Sequence, residues 1–153
     1  MMLHDLIFAP FFSGAAGTGM AWFWDQHIDR NNLWYHFGRF REAIKGINPI
    51  LERFMPVKLS HPTLRLYALV GRKTILVWCR DSANDWQREL INGVAPTVLH
   101  GLTIDLSNLS PSNTTKAVNY YDPWANKWQA GKNETVLKLP DFKRSVVVKI
   151  EKK

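Results

Sequence analysis

Residues 14–25 read GAAGTGMAWFWD, and the fold turns on what they become. Three glycines and two alanines in six positions let backbone approach backbone closely. Met20–Trp24 then sets five apolar residues in a row without alternation, closed by Asp25. A strand buried on both faces, as in a parallel sheet, reads this way. Upstream, Leu3–Phe12 is too rich in apolar residues for a helix with one face in water. Downstream, Leu33, Phe37, Phe40, Ile44 and Ile47 recur at helical spacing, Trp34 widens the stripe, and Gly46 with Asn48-Pro49 marks the end. Residues 1–48 are therefore expected as helix, strand, helix, a piece of an α/β barrel or doubly wound sheet whose other strands the sequence does not supply.

From residue 63 the period changes. Leu64, Leu66 and Ala68 alternate, Thr74–Trp78 is a β-type apolar run, and alternation returns at Leu102–Leu106, at Val118–Tyr120 and at Val146–Ile150, with a short run at Val136–Leu137. Six or seven short strands punctuated by Gly, Asn and Pro predict an antiparallel β-sandwich over residues 63–153. Ser82–Gly93 reads as a short helix or ordered loop with Trp86, Leu90 and Ile91 turned inward. Residues 49–62 hold Pro49, Pro56 and Pro62 among Ile50, Leu51, Phe54 and Met55, which suits a packed connector and not a flexible linker. The fold class expected is α+β.

The run SGAAGTGMAWFWDQHIDRNNLWYHF resembles the last strand and following helix of the (β/α)₈ barrel in a group of bacterial cellulase-like or mannanase-like glycoside hydrolases. Residues 62–151 are similar to the β-sandwich that follows the barrel there, a domain sometimes labelled collagen-binding, through YYDPW and a closing apolar run after Leu139-Pro140. The resemblance implies that residues 1–48 are the end of a catalytic barrel. It implies a secreted, periplasmic or cell-surface parent enzyme acting on polysaccharide. The catalytic glutamates of such enzymes end the fourth and seventh barrel strands, which would precede Met1. On this resemblance the chain is a C-terminal fragment, inactive by itself.

Bulk properties narrow the alternatives. At 153 residues and 46% hydrophobic content, one ordinary core with an appendage is the natural size. The net charge of +7 is diffuse: residues 1–60 carry six basic and five acidic side chains, residues 61–153 fourteen and eight. No Lys/Arg cluster or ribonucleoprotein-like aromatic motif accompanies it, so nucleic acid is not an expected partner. No run reaches the eighteen apolar residues of a membrane span, and no secretory signal is expected in Met1–Phe12, where a basic start is lacking and Asp5 breaks the apolar stretch. The single cysteine, Cys79, excludes an internal disulfide and reads as a small buried hydrophobe. Five scattered histidines show no HExxH or HxH spacing, so neither a metal nor a cofactor is expected.

Glycosidic hydrolysis uses two carboxyl groups. Glu42 falls on a helix exterior, Glu52 in the connector, and Glu89, Glu134 and Glu151 in the second half, so no catalytic residue is assigned. One wall of a sugar site would remain. The resemblance puts a ring lining the sugar on Trp22 or Trp24, with Trp24 nearer the strand end; interior filling is the alternative. Asp25 and His27 would bond sugar hydroxyls, or cap a turn. In YYDPWANKW, Asp122-Pro123 favours a hairpin turn, and Tyr121, Trp124 and Trp128 form either an accessory binding platform for glycan or matrix protein or a packed end docked on the barrel. A lone strand between two apolar helices would leave an apolar patch, so the missing barrel half or a second copy is the further partner expected.

Overall fold

The computed structural model describes residues 2–109 and 115–153. Helices α1 (Met2–Phe12), α2 (Tyr35–Ala43) and α3 (Pro49–Glu52) precede β1 (Met55–Lys58), β2 (Leu64–Val70), β3 (Thr74–Asp81), β4 (Val98–Leu99) and β5 (Thr103–Asp105). The chain continues with β6 (Thr115–Asp122), β7 (Lys127–Ala130), β8 (Val136–Lys138), β9 (Phe142–Lys143) and β10 (Ser145–Lys152). Two π-helical turns, Trp24–Asp29 and Gln87–Ile91, complete the elements. The chain is α+β.

A six-stranded sheet in the order β1-β2-β3-β10-β6-β7, antiparallel throughout, forms the middle layer. Every residue of β3 is buried, because both faces of the sheet are covered. On one face, Ile75, Val77, Val146, Val148 and Ile150 meet Ile104, Leu106, Leu137, Leu139 and Phe142. These lie in β5, β8 and β9 or, for Leu106 and Leu139, directly after β5 and β8; the second layer is the two separate two-stranded pairs β4-β9 and β5-β8. Cys79 lies in this core, as a buried hydrophobe would, and burial pushes its thiol up. On the other face, Leu69, Leu76, Trp78, Tyr121 and Val147 pack against α1 and α2.

Helix α1 earns that position by its spacing. Leu3, His4, Ile7, Phe8, Phe11 and Phe12 are buried along one stripe, while Met2 and Leu6 on the other side are exposed. The Phe8 ring lies 5.3 Å from Phe40 of α2 and 5.7 Å from Trp78 of β3. Glu52 ties the connector to the sheet: its carboxylate, buried, accepts from the N–H groups of Lys73 and Thr74 at 2.9 and 3.1 Å and from the Thr74 hydroxyl at 3.0 Å. Asn48 caps α3 by accepting from the N–H groups of Ile50 and Leu51.

Three expectations are corrected. Met20–Trp24 forms no strand; Met20, Trp22, Phe23 and Trp24 are exposed. An unalternating apolar run becomes a buried strand only with neighbours on both edges, and here none pairs with it. The small residues before it serve α1 instead. Pro10 has no N–H for the Leu6 carbonyl, and Gly19 packs against that carbonyl so closely that a Cβ would lie 2.5 Å from it. The sheet also begins earlier than residue 63, since β1 lies within the stretch read as a connector. In 82–93, finally, Trp86, Leu90 and Ile91 turn outward. Asn84 and Glu89 are what that segment contributes inward, to Arg80 and Arg144.

Candidate functional site: an exposed aromatic ledge

Gly14–Phe23 doubles back along α1, held by the Ala15 N–H bonded to the Pro10 carbonyl at 3.0 Å and by the contact at Gly19. It delivers Trp22, Phe23 and Trp24 to the surface, and the wide π-helical turn that follows carries Asp25 and His27. Trp22 is 87% exposed and Trp24 50%. Trp24 leans on Trp34 at 6.3 Å between ring centroids, and Trp34 on Phe37 at 5.8 Å. The Trp34 indole N–H donates to Asp29 Oδ1 at 2.9 Å, which fixes the ring, and the Asn31 amide donates to the His27 carbonyl at 2.7 Å, which fixes the turn. Ile28 is the buried anchor beneath.

The result is a ledge of exposed rings, Trp22, Phe23, Trp24, Trp34 and Tyr35, with Asp25 exposed and His27 half-buried beside them. Ring faces of this kind stack on the apolar faces of sugar rings or on other aromatic groups, while a carboxylate and an imidazole offer hydrogen bonds at the edge. All four residues expected from the sequence to line a sugar, Trp22, Trp24, Asp25 and His27, fall in this one segment. Trp34, expected in the helix stripe, and Tyr35, which carries no signal of its own in the sequence, join them.

The hairpin aromatics go elsewhere. Tyr121 is fully buried, and its hydroxyl donates to Asn126 Oδ1 at 2.7 Å; burial pushes that hydroxyl up to about 12. Trp128 lies 4.9 Å from the Tyr121 ring and donates its indole N–H to Glu42 of α2. Trp124 donates to Ser145 Oγ at 3.0 Å under the Arg144 guanidinium, 4.6 Å above its ring. Of the two roles open to this hairpin, platform or docked end, these three rings take the second, and the surface they dock on is the helical layer.

That docking closes a polar clasp that sequence reasoning missed. His4 Nε2 is 3.0 Å from Ser145 Oγ, in a pocket of rings made by Phe8, Trp78 and Trp124. Arg80, buried, donates to both Asp5 oxygens at 3.0 and 3.2 Å and to Asn84 Oδ1 at 2.9 Å. Arg144 donates to both oxygens of Glu89, whose carboxyl it holds below the usual range. Burial drives His4 well below its ordinary value, aided by His36 and Arg80, and lowers His36 to about 4. His4, Ser145 and Arg80 are buried where no substrate reaches them, so the clasp is a structural joint. Its members lie up to 141 residues apart in sequence, a separation at which no local pattern signals them.

Among the described residues no group of acidic, His and Cys side chains is arranged to hold a metal ion, and no helix is long and apolar enough to cross a membrane. No known family matches the chain, and no curated protein matches it.

Proposed function

We propose that this chain is the C-terminal part of a glycoside hydrolase acting on polysaccharide, in which the strands from residue 55 build the appended β-sandwich, the helices before them cover one face of its sheet, and the ledge is one wall of the sugar site. The observation that carries the reading is the ledge itself. Two cores are already filled on either side of the sheet, and yet several large rings stand in water within one short segment, beside an exposed carboxylate. The chain alone is not expected to hydrolyse glycosidic bonds. Glu42, Glu52 and Glu89 are committed to Trp128, to the β2–β3 turn and to Arg144, which leaves no matched carboxyl pair among them. The parent enzyme would act outside the cytoplasm.

Titration with cello- and manno-oligosaccharides, read by tryptophan fluorescence, tests this. Saturable quenching is expected, weakened about tenfold by Trp24→Ala, about 1.4 kcal/mol. Absence of quenching with both series, or quenching indifferent to Trp22→Ala and Trp24→Ala, refutes it.

A second reading is favoured by the outer side of α1. Met2, Leu6, Ala9, Pro10 and Trp86, with Asp5 and Ser13, line a mostly apolar open groove of about 370 Å³, continuous through Gly19 with the segment that bears the ledge. On this reading the surface receives the rest of a barrel or a second copy. Sedimentation of the pure chain, alone and with the upstream protein, separates the two: a monomer in both conditions excludes the second reading.

A further inference from the structure

The β6–β7 hairpin sends alternate side chains in opposite directions. Tyr121 and Trp128, cross-strand partners, face the helices. Tyr120 and Asp122, with their partners Gln129 and Lys127, face the other side. There the second layer approaches through Pro140–Phe142 and leaves a cleft of about 210 Å³ against edge strand β7, lined by Tyr120, Asp122, Lys127, Gln129, Asp141 and Phe142.

We infer that this cleft is a second carbohydrate site, taking a single sugar ring of a polysaccharide chain; the inference rests on the reading of the protein as part of a polysaccharide-degrading enzyme. Chemistry selects the ligand class. The floor is apolar, from the buried rings of Phe142 and Tyr120. The rim both accepts and donates: Asp122 and Asp141 accept, Lys127 donates, and Gln129 does both. An apolar ligand would strip water from charged groups without replacing their hydrogen bonds. An ion of either sign would meet its own charge, because Asp122 and Lys127 sit directly opposite each other in the ladder. A neutral polyhydroxylated ring satisfies the donors and acceptors together. The volume is below the ~300–1,000 Å³ of sites for drug-sized molecules and suits one ring.

The site is also held firmly. Asp122 Oδ1 accepts from the Trp124 and Ala125 N–H groups at 2.7 and 3.0 Å, which fixes the carboxylate with its second oxygen outside those bonds. Asp141 Oδ2 lies 2.8 Å from His100 Nδ1 in a solvent-exposed pair that adds little to this hold. Gly131 lies so near the Tyr120 ring that a Cβ would meet it at 2.6 Å, so the Gly131 backbone clamps that ring. Strand register, and not a loop, sets the spacing of the rim groups.

The test is an amide NMR titration of the full chain with cellohexaose and mannohexaose, repeated on the double variant Lys127→Ala/Gln129→Ala and on Trp24→Ala. Saturable shifts at residues 120–122, 127–129 and 141–142 are expected with one of the sugars, weakened at least tenfold by the double variant and kept in Trp24→Ala. No saturable shift there with either sugar overturns the inference, as does a shift that survives the double variant unchanged. Shifts confined to residues 22–35 and lost in Trp24→Ala would overturn the cleft and leave the ledge standing; the converse pattern would overturn the ledge and leave the cleft.

Discussion

Acid should loosen the helical layer before it unfolds the sheet, and His36 sets the scale. The side chain is 3% exposed, 6.0 Å from His4 and 5.7 Å from Trp124 between ring centroids. Burial, with help from Arg39, lowers it from 6.5 to about 4. In the unfolded chain the imidazole takes its proton near pH 6.5; in the folded one it resists until about pH 4. Between those values the unfolded state binds more protons, so stability is full above pH 6.5 and falls as the pH drops. Each pH unit separating the two protonations is worth about 1.36 kcal/mol, so His36 alone withdraws roughly 3 kcal/mol by pH 4. Burial lowers His4 in the same direction. Against a domain stability of about 5–15 kcal/mol, this loss is large. Thermal melts from pH 7.5 to 4 should therefore show a falling melting temperature, steepest between pH 6.5 and 4.5. His36→Gln, which removes the titrating group, should flatten that limb. Hydrogen exchange at pH 5 should quicken in α1 and α2 ahead of β3 and β10. A melting temperature level from pH 6.5 to 4.5, or a slope undiminished in His36→Gln, would refute the reasoning.

Further substitutions probe the joint that places the ledge and the one that ties the connector to the sheet. Gly19→Ala puts a methyl 2.5 Å from the Leu6 carbonyl, a backbone atom that cannot swing aside, so overpacking should cost about 1–3 kcal/mol and lower the melting temperature. Gly17→Ala, with nothing within 4 Å of its Cβ, should leave it nearly unchanged, and equal melting temperatures for the pair would sink the account. Glu52→Ala strands two N–H groups and a hydroxyl at the β2–β3 turn, a loss of about 3 kcal/mol measurable by urea unfolding; a change under about 1 kcal/mol would mean the turn closes without it.

The part of the fold legible in the sequence is the part that local period dictates. The stripe of α2 and the alternations of β2, β5, β6 and β10 all come from side chains within a few residues of one another, and each element forms where its pattern lies; α1 forms where its apolar density puts a helix, but contrary to expectation Met2 and Leu6 leave one side in water. The failures share a cause. The apolar run Met20–Trp24 and the apolar side chains of Trp86, Leu90 and Ile91 have a fate that depends on whether something else covers them, and composition is silent on that. Burial of the first would have needed strand partners that no segment supplies. Burial of the second lost to Arg144, which draws Glu89 inward and turns Leu90 and Ile91 out. Strand β1 was hidden by Pro56, which excludes a central strand yet is at home on this edge. Trp22, Trp24, Asp25 and His27 of the ledge could be named because they lie together in sequence, whereas Trp34 and Tyr35 could not. The clasp could not, since Asp5 meets Arg80, and His4 meets Ser145, only after the sheet has formed.

The clasp and the ledge are nonetheless one mechanical unit. The ledge hangs on Gly19, Gly19 rests on the Leu6 carbonyl and Pro10, and α1 is fixed to the sheet by His4 through Ser145 and by Asp5 through Arg80. From the α2 side the rings are held by Ile28, by the Asn31–His27 and Trp34–Asp29 hydrogen bonds, and by the ring contacts of Trp34 with Trp24 and Phe37. A pH that protonates His4 and His36 acts on the ledge through α1 and, at its far end, through the Tyr35 ring 4.2 Å from His36. If the ledge binds sugar, its affinity should fall over the same pH interval in which α1 loses protection from exchange, and His36→Gln should widen the range over which binding persists. The cleft beside β7 lies on the opposite face of the sheet, against β8–β9, and should keep its ligand there. Parallel loss at both places would mean that acid unfolds the chain as one body and that the helical layer has no separate stability.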